Sequence, residues 1–268
     1  MRNPLSYVFN DLNDLSIEYK KLVLKIYIVV LRLILTVAFP HLVKGLYYLI
    51  RKKKKEQYKE FTVGSHIWGK EILKITESKL EFQNTIEIPE SGHIIMLNHI
   101  NEIDFPFDCI VVSKPFLANQ TIKSSVFAYW WMSAMGSQVF DTSHQRTIAK
   151  SIRNLMEGLK ERSFIVYPEG GNSYSEEMRP FKKGMIKLAF DQKVPVALII
   201  KSGVTKFQKT QKNVVITYKS CGIIQPSEYP NWESFRDSIY NTMVTNKRIL
   251  DESLIDKNKN LHGNEKDI

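Results

Sequence analysis

Cysteine is scarce in this chain. The two present in 268 residues, Cys109 and Cys221, lie in otherwise apolar stretches and form no spacing pattern. That excludes a disulfide framework or a thiolate zinc site, and makes a reducing, cytosol-facing environment the default. A long uncharged apolar run is also missing. Spanning a bilayer takes about 20 mostly apolar residues, yet Lys25, Arg32 and Lys44 interrupt the most apolar part of the chain, 22–50, and its longest uncharged run is 33–43. A signal peptide is not expected, because this stretch starts deep in the chain and no small-residue cleavage site follows it. Negative charge is the third shortage. Thirty-eight Lys and Arg face 28 Asp and Glu, a net charge of +10, which attracts either nucleic acid or an anionic lipid surface. An aromatic-rich basic strand surface and a recognition-helix pattern are both lacking, so no nucleic-acid partner is expected. No internal repeat is visible.

What is present near the amino terminus is a basic run, "RKKKK" from Arg51 to Lys55, directly after the apolar stretch. That neighbourhood favours lipid; a solvated helix end is the alternative. Lys21, Lys25 and Arg32 stand four and then seven apart, so they share one helical face, as in a helix lying in the membrane interface with its basic side up. Pro40 lacks a backbone donor and restricts Phe39, which predicts a break there and a restart through "HLVKGLYYLIRKKKK", with Tyr47 and Tyr48 at the headgroup level. Residues 1–60 therefore read as two amphipathic helices and a basic run that associate with the cytoplasmic face of a membrane.

From 61 to 250 the composition is that of a globular α/β domain, its boundary falling near 56–62. "SHIWGKEILKIT" reads as a short helix, "GHIIML" as a buried strand and "PFDCIVVS" as a helix that tolerates Pro106 in its first turn. Ile148, Ile152, Leu155 and Leu159, spaced four, three and four, mark a helix with one buried face. "SFIVY" and "VPVALII" read as strands, and Trp232, Phe235, Ile239 and Met243 as a last amphipathic helix. The alternation predicts a helix-flanked, largely parallel sheet. Residues 251–268 have almost nothing to bury and are expected to be a disordered tail.

On such a sheet, functional groups collect at the carboxyl ends of strands. Three loops qualify: "NHINEID" after "GHIIML", "DTSHQR" after "SQVF" and "PEGGNS" after "SFIVY". In the first, His99 and Asp104 stand five apart, a spacing that chance alone supplies roughly 0.2 times in such a chain. A His leaving a buried strand and an Asp in the first turn of the next helix can approach each other. Asp104 then fixes the imidazole tautomer and the other ring nitrogen removes a proton from a hydroxyl. Alternatively, Asp104 caps the helix and His99 is a satisfied turn residue. In the third loop, Gly170 and Gly171 permit close backbone approach to a ligand, or form an ordinary turn. Lys182 and Lys183 either meet a phosphate or begin a solvated helix.

At these residues the chain resembles the PlsC-type glycerolipid acyltransferases, whose type member acylates 1-acylglycerol-3-phosphate. The resemblance covers roughly 68–225, with four motifs in order. "NHINEID" is similar to N-H-x-S-x-x-D, with Asn101 in place of Ser; "GSQVFDTS" is similar to a second block ending in Asp-Arg. "FIVYPEGGNS" looks like F-P-E-G-T-R-S, and "RPFKKGMIKLA" with "VPVALI" matches the segments that follow. The resemblance implies an enzyme in which His99, paired with Asp104, deprotonates an acceptor hydroxyl that attacks the thioester of acyl-CoA or acyl carrier protein. It implies neither metal nor other cofactor, and Cys109 is then a core residue. Lys123 matches a family lysine and is an oxyanion candidate, or a surface lysine. Glu169, Gly170, Gly171, Asn172 and Ser173 fall in the third block. The family's two phosphate-binding arginines fall at Thr142 and Asn172, and neutral side chains do not readily replace a bidentate guanidinium. Either Arg146 and Arg179, with Lys182 and Lys183, bind the acceptor's phosphate, or the acceptor lipid carries none; a catalytically inactive lipid-binding homologue is the remaining alternative.

Overall fold

The computed structural model describes residues 17–124, 126–141, 143–210 and 212–263. They divide into two compact units. One takes the chain through Ile75 together with Glu90–Gly92 and Glu102–Val166; the other takes Thr76–Pro89, His93–Asn101 and the chain from Tyr167 onward.

The first, mainly helical unit begins with α1 (Ile17–Leu35), α2 (Phe39–Ile50) and α3 (Lys54–Ile75). The break between α1 and α2 bends the chain by 76°, and Pro40 stands in the first turn of α2, where its missing N–H is no loss. Among the described residues no single helix is long and apolar enough to cross a membrane; Tyr27–Leu35 and Phe39–Ile50 reach that length and composition only together. Both helices leave an apolar stripe in the open. On α1 it is Leu24, Ile28, Leu31 and Leu35; on α2 it is Phe39, Val43, Tyr47 and Ile50. Spacings of three and four put each set on one helical face, and Lys21, Lys25 and Arg32 are exposed on α1.

Two expectations need correction at α3. The basic run does not end a helix that continues from α2: α2 stops at Ile50, Lys52 adopts a left-handed φ of 56°, and α3 starts at Lys54, so Arg51–Lys53 form the turn and Lys54 and Lys55 open the next helix. Nor does a domain boundary fall at 60, because α3 runs unbroken across it. Phe61, Ser65, Trp68 and Ile72, spaced four, three and four, form one buried face, and that face keeps α3 whole despite its charged first turns. The Phe61 ring meets Trp131 edge-on at 5.0 Å, the Trp131 indole donates to Ser65 Oγ at 2.8 Å, and Trp68 stacks on Phe105 at 5.7 Å.

The unit continues with α4 (Asp104–Val111), β3 (Leu117–Asn119), a 3-10 turn (Gln120–Ser124), α5 (Val126–Ala134), β4 (Gln138–Phe140), α6 (Gln145–Leu159) and β5 (Phe164–Val166). β3 and β4 pair in parallel; the sequence reading missed β3. α6 buries Leu155 and Leu159 as expected, and Ser151 and Gly158 join them, while Ile148 and Ile152 are half-buried.

The second unit is built on β1 (Lys79–Phe82), β2 (Ile94–Leu97), β6 (Val196–Ser202) and β7 (Val215–Ile224), ordered β1-β7-β6-β2. β1 runs parallel to β7 and β2 parallel to β6, while β6 and β7 are antiparallel. Every residue of β2 and β6 is buried, which is why both read as continuous apolar runs without alternation. Helices α7 (Lys183–Asp191), α8 (Val204–Thr210) and α9 (Trp232–Gly263) complete it. α9 lies against β6 and α7 through Phe235, Ile239 and Met243, all fully buried. It runs through Gly263, so the disordered tail expected from 251 is helical for its first thirteen residues. Once the packed turns around Leu250 have nucleated the helix, each further residue needs only one hydrogen bond to join it. The last five residues lie outside the described chain.

Candidate active site

β2 ends at Leu97, and Asn98 extends its pairing through a side chain. The Asn98 amide oxygen accepts from the Lys201 N–H at 2.8 Å and its nitrogen donates to the Lys201 carbonyl at 3.0 Å, so the exit of the next residue from the sheet is set on both sides. That residue is His99. Its N–H donates to Glu169 Oε1 at 2.8 Å, its carbonyl accepts from the Ser173 N–H at 2.9 Å, and the Ile100 carbonyl accepts from the Tyr174 N–H at 2.9 Å. The imidazole stacks on the Tyr167 ring, centroids 3.9 Å apart and planes within 10°. The first and third loops therefore form one assembly.

Glu169 is 2 % exposed, and its second oxygen accepts from the Arg179 N–H at 2.8 Å. Burial pushes its carboxyl above the ordinary value; the two backbone donors and the charges of His99 and Lys201 pull the other way without overcoming it. Gly170 has φ +70°, and a Cβ there would stand 2.8 Å from the Lys182 side chain, so this position needs glycine. The Arg179 guanidinium crosses the loop to the Asn172 carbonyl at 2.9 Å and lies near Gly171, while the Asn172 amide donates to the Tyr174 hydroxyl at 3.0 Å. The Lys182 N–H donates to the Pro168 carbonyl at 2.8 Å, and Lys182 and Lys183 are exposed at the start of α7. His99, Glu169, Gly170, Gly171, Asn172, Ser173, Arg179 and Lys182 are thus gathered in one unit.

The chain passes to the other unit between Asn101 and Glu102. There Asp104 is fully buried and occupies the first position of α4, whose N-cap is Ile103, so it is not the cap that the alternative reading assigned. The Lys123 ammonium donates to Asp141 Oδ2 at 3.2 Å. Asp141 also accepts from the Ser143 hydroxyl at 2.6 Å and the Ser143 N–H at 3.0 Å, and these bonds, more than Lys123, hold its carboxyl down at about 2. Arg146 is exposed in the first turn of α6; Thr142 lies outside the described residues. Cys109 is buried and burial pushes its thiol well up, which suits a core residue and not a nucleophile. Among the described residues no group of three or more His, Cys, Asp or Glu side chains is placed to hold a metal.

Residues 79–200 match the Acyltransferase family model, a span that holds the His99 strand end and the Glu169 loop. The 1-acyl-sn-glycerol-3-phosphate acyltransferase of Saccharomyces cerevisiae is 30 % identical over 126 residues, covering 43 % of this chain and 40 % of that protein. The enzyme of that name from Cocos nucifera is 21 % identical over 189 residues, covering 67 % of this chain and 59 % of that protein. The fold is similar to the crystal structure of the 1-acyl-sn-glycerophosphate acyltransferase PlsC from Thermotoga maritima, with a TM-score of 0.62 and 19 % identity over 84 % of this chain and 95 % of that one. Over residues 79–200 the chain is similar to the acyltransferases that this family model describes. It spans between about two fifths and three fifths of the length of these two curated relatives.

Around His99 the sequence reading missed Asn98, Tyr167 and Lys201. Asn98 and Tyr167 carry no signal beyond adjacency to His99 and to "PEGG". Lys201 carries one: it is the single charged residue in "VALIIKS", a strand whose apolar run predicts burial on both faces.

Proposed function

We propose that this chain is an interfacial O-acyltransferase that moves a fatty acyl group from acyl-CoA or acyl carrier protein to the free hydroxyl of a lysophospholipid. The observation that carries this reading is the joining of first- and third-block residues around His99, whose peptide is held by the Glu169 carboxylate on one side and Ser173 on the other. In the reaction, the His99 imidazole takes the hydroxyl proton as the oxygen attacks the thioester carbonyl. The tetrahedral intermediate collapses, the C–S bond breaks, and the imidazolium returns its proton to the departing thiolate. Asp104 as the partner that orients the imidazole rests on its five-residue spacing from His99 and its place in the first turn of α4. No enzyme nucleophile is needed. Lys123, as oxyanion donor, must first exchange Asp141 for the substrate.

Arg179 takes the part of the family arginine that Asn172 lacks. Its guanidinium reaches the loop at Asn172 itself and is exposed, and one of its five N–H donors is engaged by that carbonyl, leaving the fork geometry suited to a phosphate. The exposed apolar stripes of α1 and α2 and the basic turn after them support approach from an anionic, cytoplasmic membrane surface.

The test is full-length protein in vesicles with acyl-CoA or acyl carrier protein and lysolipids with and without a phosphate monoester. We expect transfer to the phosphate monoester acceptor, a fall of about 100-fold or more in His99→Ala, and a raised KM for that acceptor alone in Arg179→Leu. Activity that survives His99→Ala removes the proposed mechanism. Equal use of acceptors without a phosphate monoester moves the specificity to another head group, consistent with the Asn172 amide being engaged by Tyr174.

A further inference from the structure

Lys201 is 0 % exposed. A lysine is almost never fully buried without a compensating environment, and this one lies in an otherwise apolar strand. Side chains alternate along β6, so Lys201 shares a face with Ile199, while Ser202 on the opposite face bonds Asp251 of α9. Lys201 therefore points away from α9. Its ammonium stands 5.2 Å from the centroid of the Tyr167 ring, and that ring lies 3.9 Å from the His99 imidazole with the planes nearly parallel. The Lys201 peptide is at the same time clamped by Asn98, the residue before His99.

We propose that Lys201 and Tyr167 are positioning residues for His99, the buried ammonium holding the aromatic ring and the ring fixing the plane of the imidazole. The consequence for turnover rests on the acyl-transfer reading above. Asn98 and Glu169 fix the His99 backbone, which still leaves rotation about the side-chain bonds; a stacked ring removes that freedom. An ammonium over an aromatic face is attracted more strongly when both are desolvated, so the cation confines Tyr167 as Tyr167 confines His99. Glu169 lies in the same group: burial pushes its carboxyl up, and the charges of His99 and Lys201 oppose that shift. Full burial keeps Lys201 from touching a substrate, so it acts through Tyr167. A base contributes to rate only when it is aimed, and the loss should therefore fall on kcat.

The test compares Lys201→Met, Tyr167→Leu and Tyr167→Phe in full-length protein, with two readouts. In spectra of histidine-labelled protein in micelles, the His99 ring signal, assigned with His99→Ala, should be shielded by the ring it stacks on. It should lose that shielding in Tyr167→Leu, broaden or shift in Lys201→Met, and stay in Tyr167→Phe. In the acyl-transfer assay the first two variants should lower kcat about tenfold or more with each KM within about twofold, and the pair combined should be little worse than either alone, as expected of residues acting as one unit. A wild-type His99 signal without shielding overturns the proposal, as does a folded Lys201→Met with unchanged signal and kcat. If Lys201→Met fails to fold, Tyr167→Leu, at a half-buried site, carries both readouts. A shielded signal that responds to both variants in a protein that transfers no acyl group refutes the reaction and leaves the stack established.

Discussion

Glu169→Gln separates the two things this side chain does. In the wild type its two oxygens accept one N–H each, from His99 and Arg179, both at 2.8 Å, and it is 2 % exposed. Glutamine has one acceptor oxygen, so one of those donors must face an NH2 group. Leaving a buried donor unsatisfied costs about 1–3 kcal/mol. Against this stands relief from burying a carboxylate, and its sign follows from the direction of the shift. The folded-state pKa lies above the ordinary 4.5, chiefly through burial, so the stability Glu169 contributes is complete below pH 4.5 and is lost as pH rises through the raised value. The variant should therefore be about 1–3 kcal/mol less stable than the wild type at pH 4, with the gap narrowing towards pH 7. Urea unfolding followed by tryptophan fluorescence across that range measures it, provided the slopes agree. A gap that is absent at pH 4, or that widens with pH, refutes the reasoning.

Two further outcomes follow from the same kind of accounting. Lys247, with 3 % of its side chain exposed, bonds Glu176 at 2.9 Å and also Asp251; Lys247→Met leaves two carboxylates without their cation and should cost about 3–5 kcal/mol, so a melting temperature equal to the wild type would show that the cluster is not balanced in this way. Ser143→Ala removes the largest cause of the depressed Asp141 carboxyl and should move it from about 2 towards 3.8; a carbon-detected titration that finds it unmoved would assign the shift to something other than Ser143.

Much of the architecture was legible because its signals are local. Phe235, Ile239 and Met243 repeat at helical spacing, and Pro40 interrupts one helix and starts another at whatever depth the chain lies. The errors have local causes too. The charge at 51–55 followed by globular composition reads as a boundary near 56–62, while the buried face of α3 that overrides it begins only at Gln57. The end of α9 was placed where apolar periodicity stops, although a helix already packed needs no apolar residue to go on. For the site, "NHINEID" and "PEGGNS" marked the right loops. Neither revealed that Glu169 serves as a backbone acceptor, because a carboxylate in a glycine loop reads equally well as a ligand.

The sequence by itself determined most of the helices and strands, the order of the three loops, the excess of positive charge beside an amphipathic segment, and the absence of a cysteine framework; each depends on residue identity and spacing over a few turns of chain. Tertiary structure alone decided which groups meet. Glu169 reaches His99 across 70 positions and Asn98 reaches Lys201 across 103, distances over which no periodicity carries information. It is the parallel pairing of β2 with β6 that brings a buried lysine beside the residue preceding the histidine.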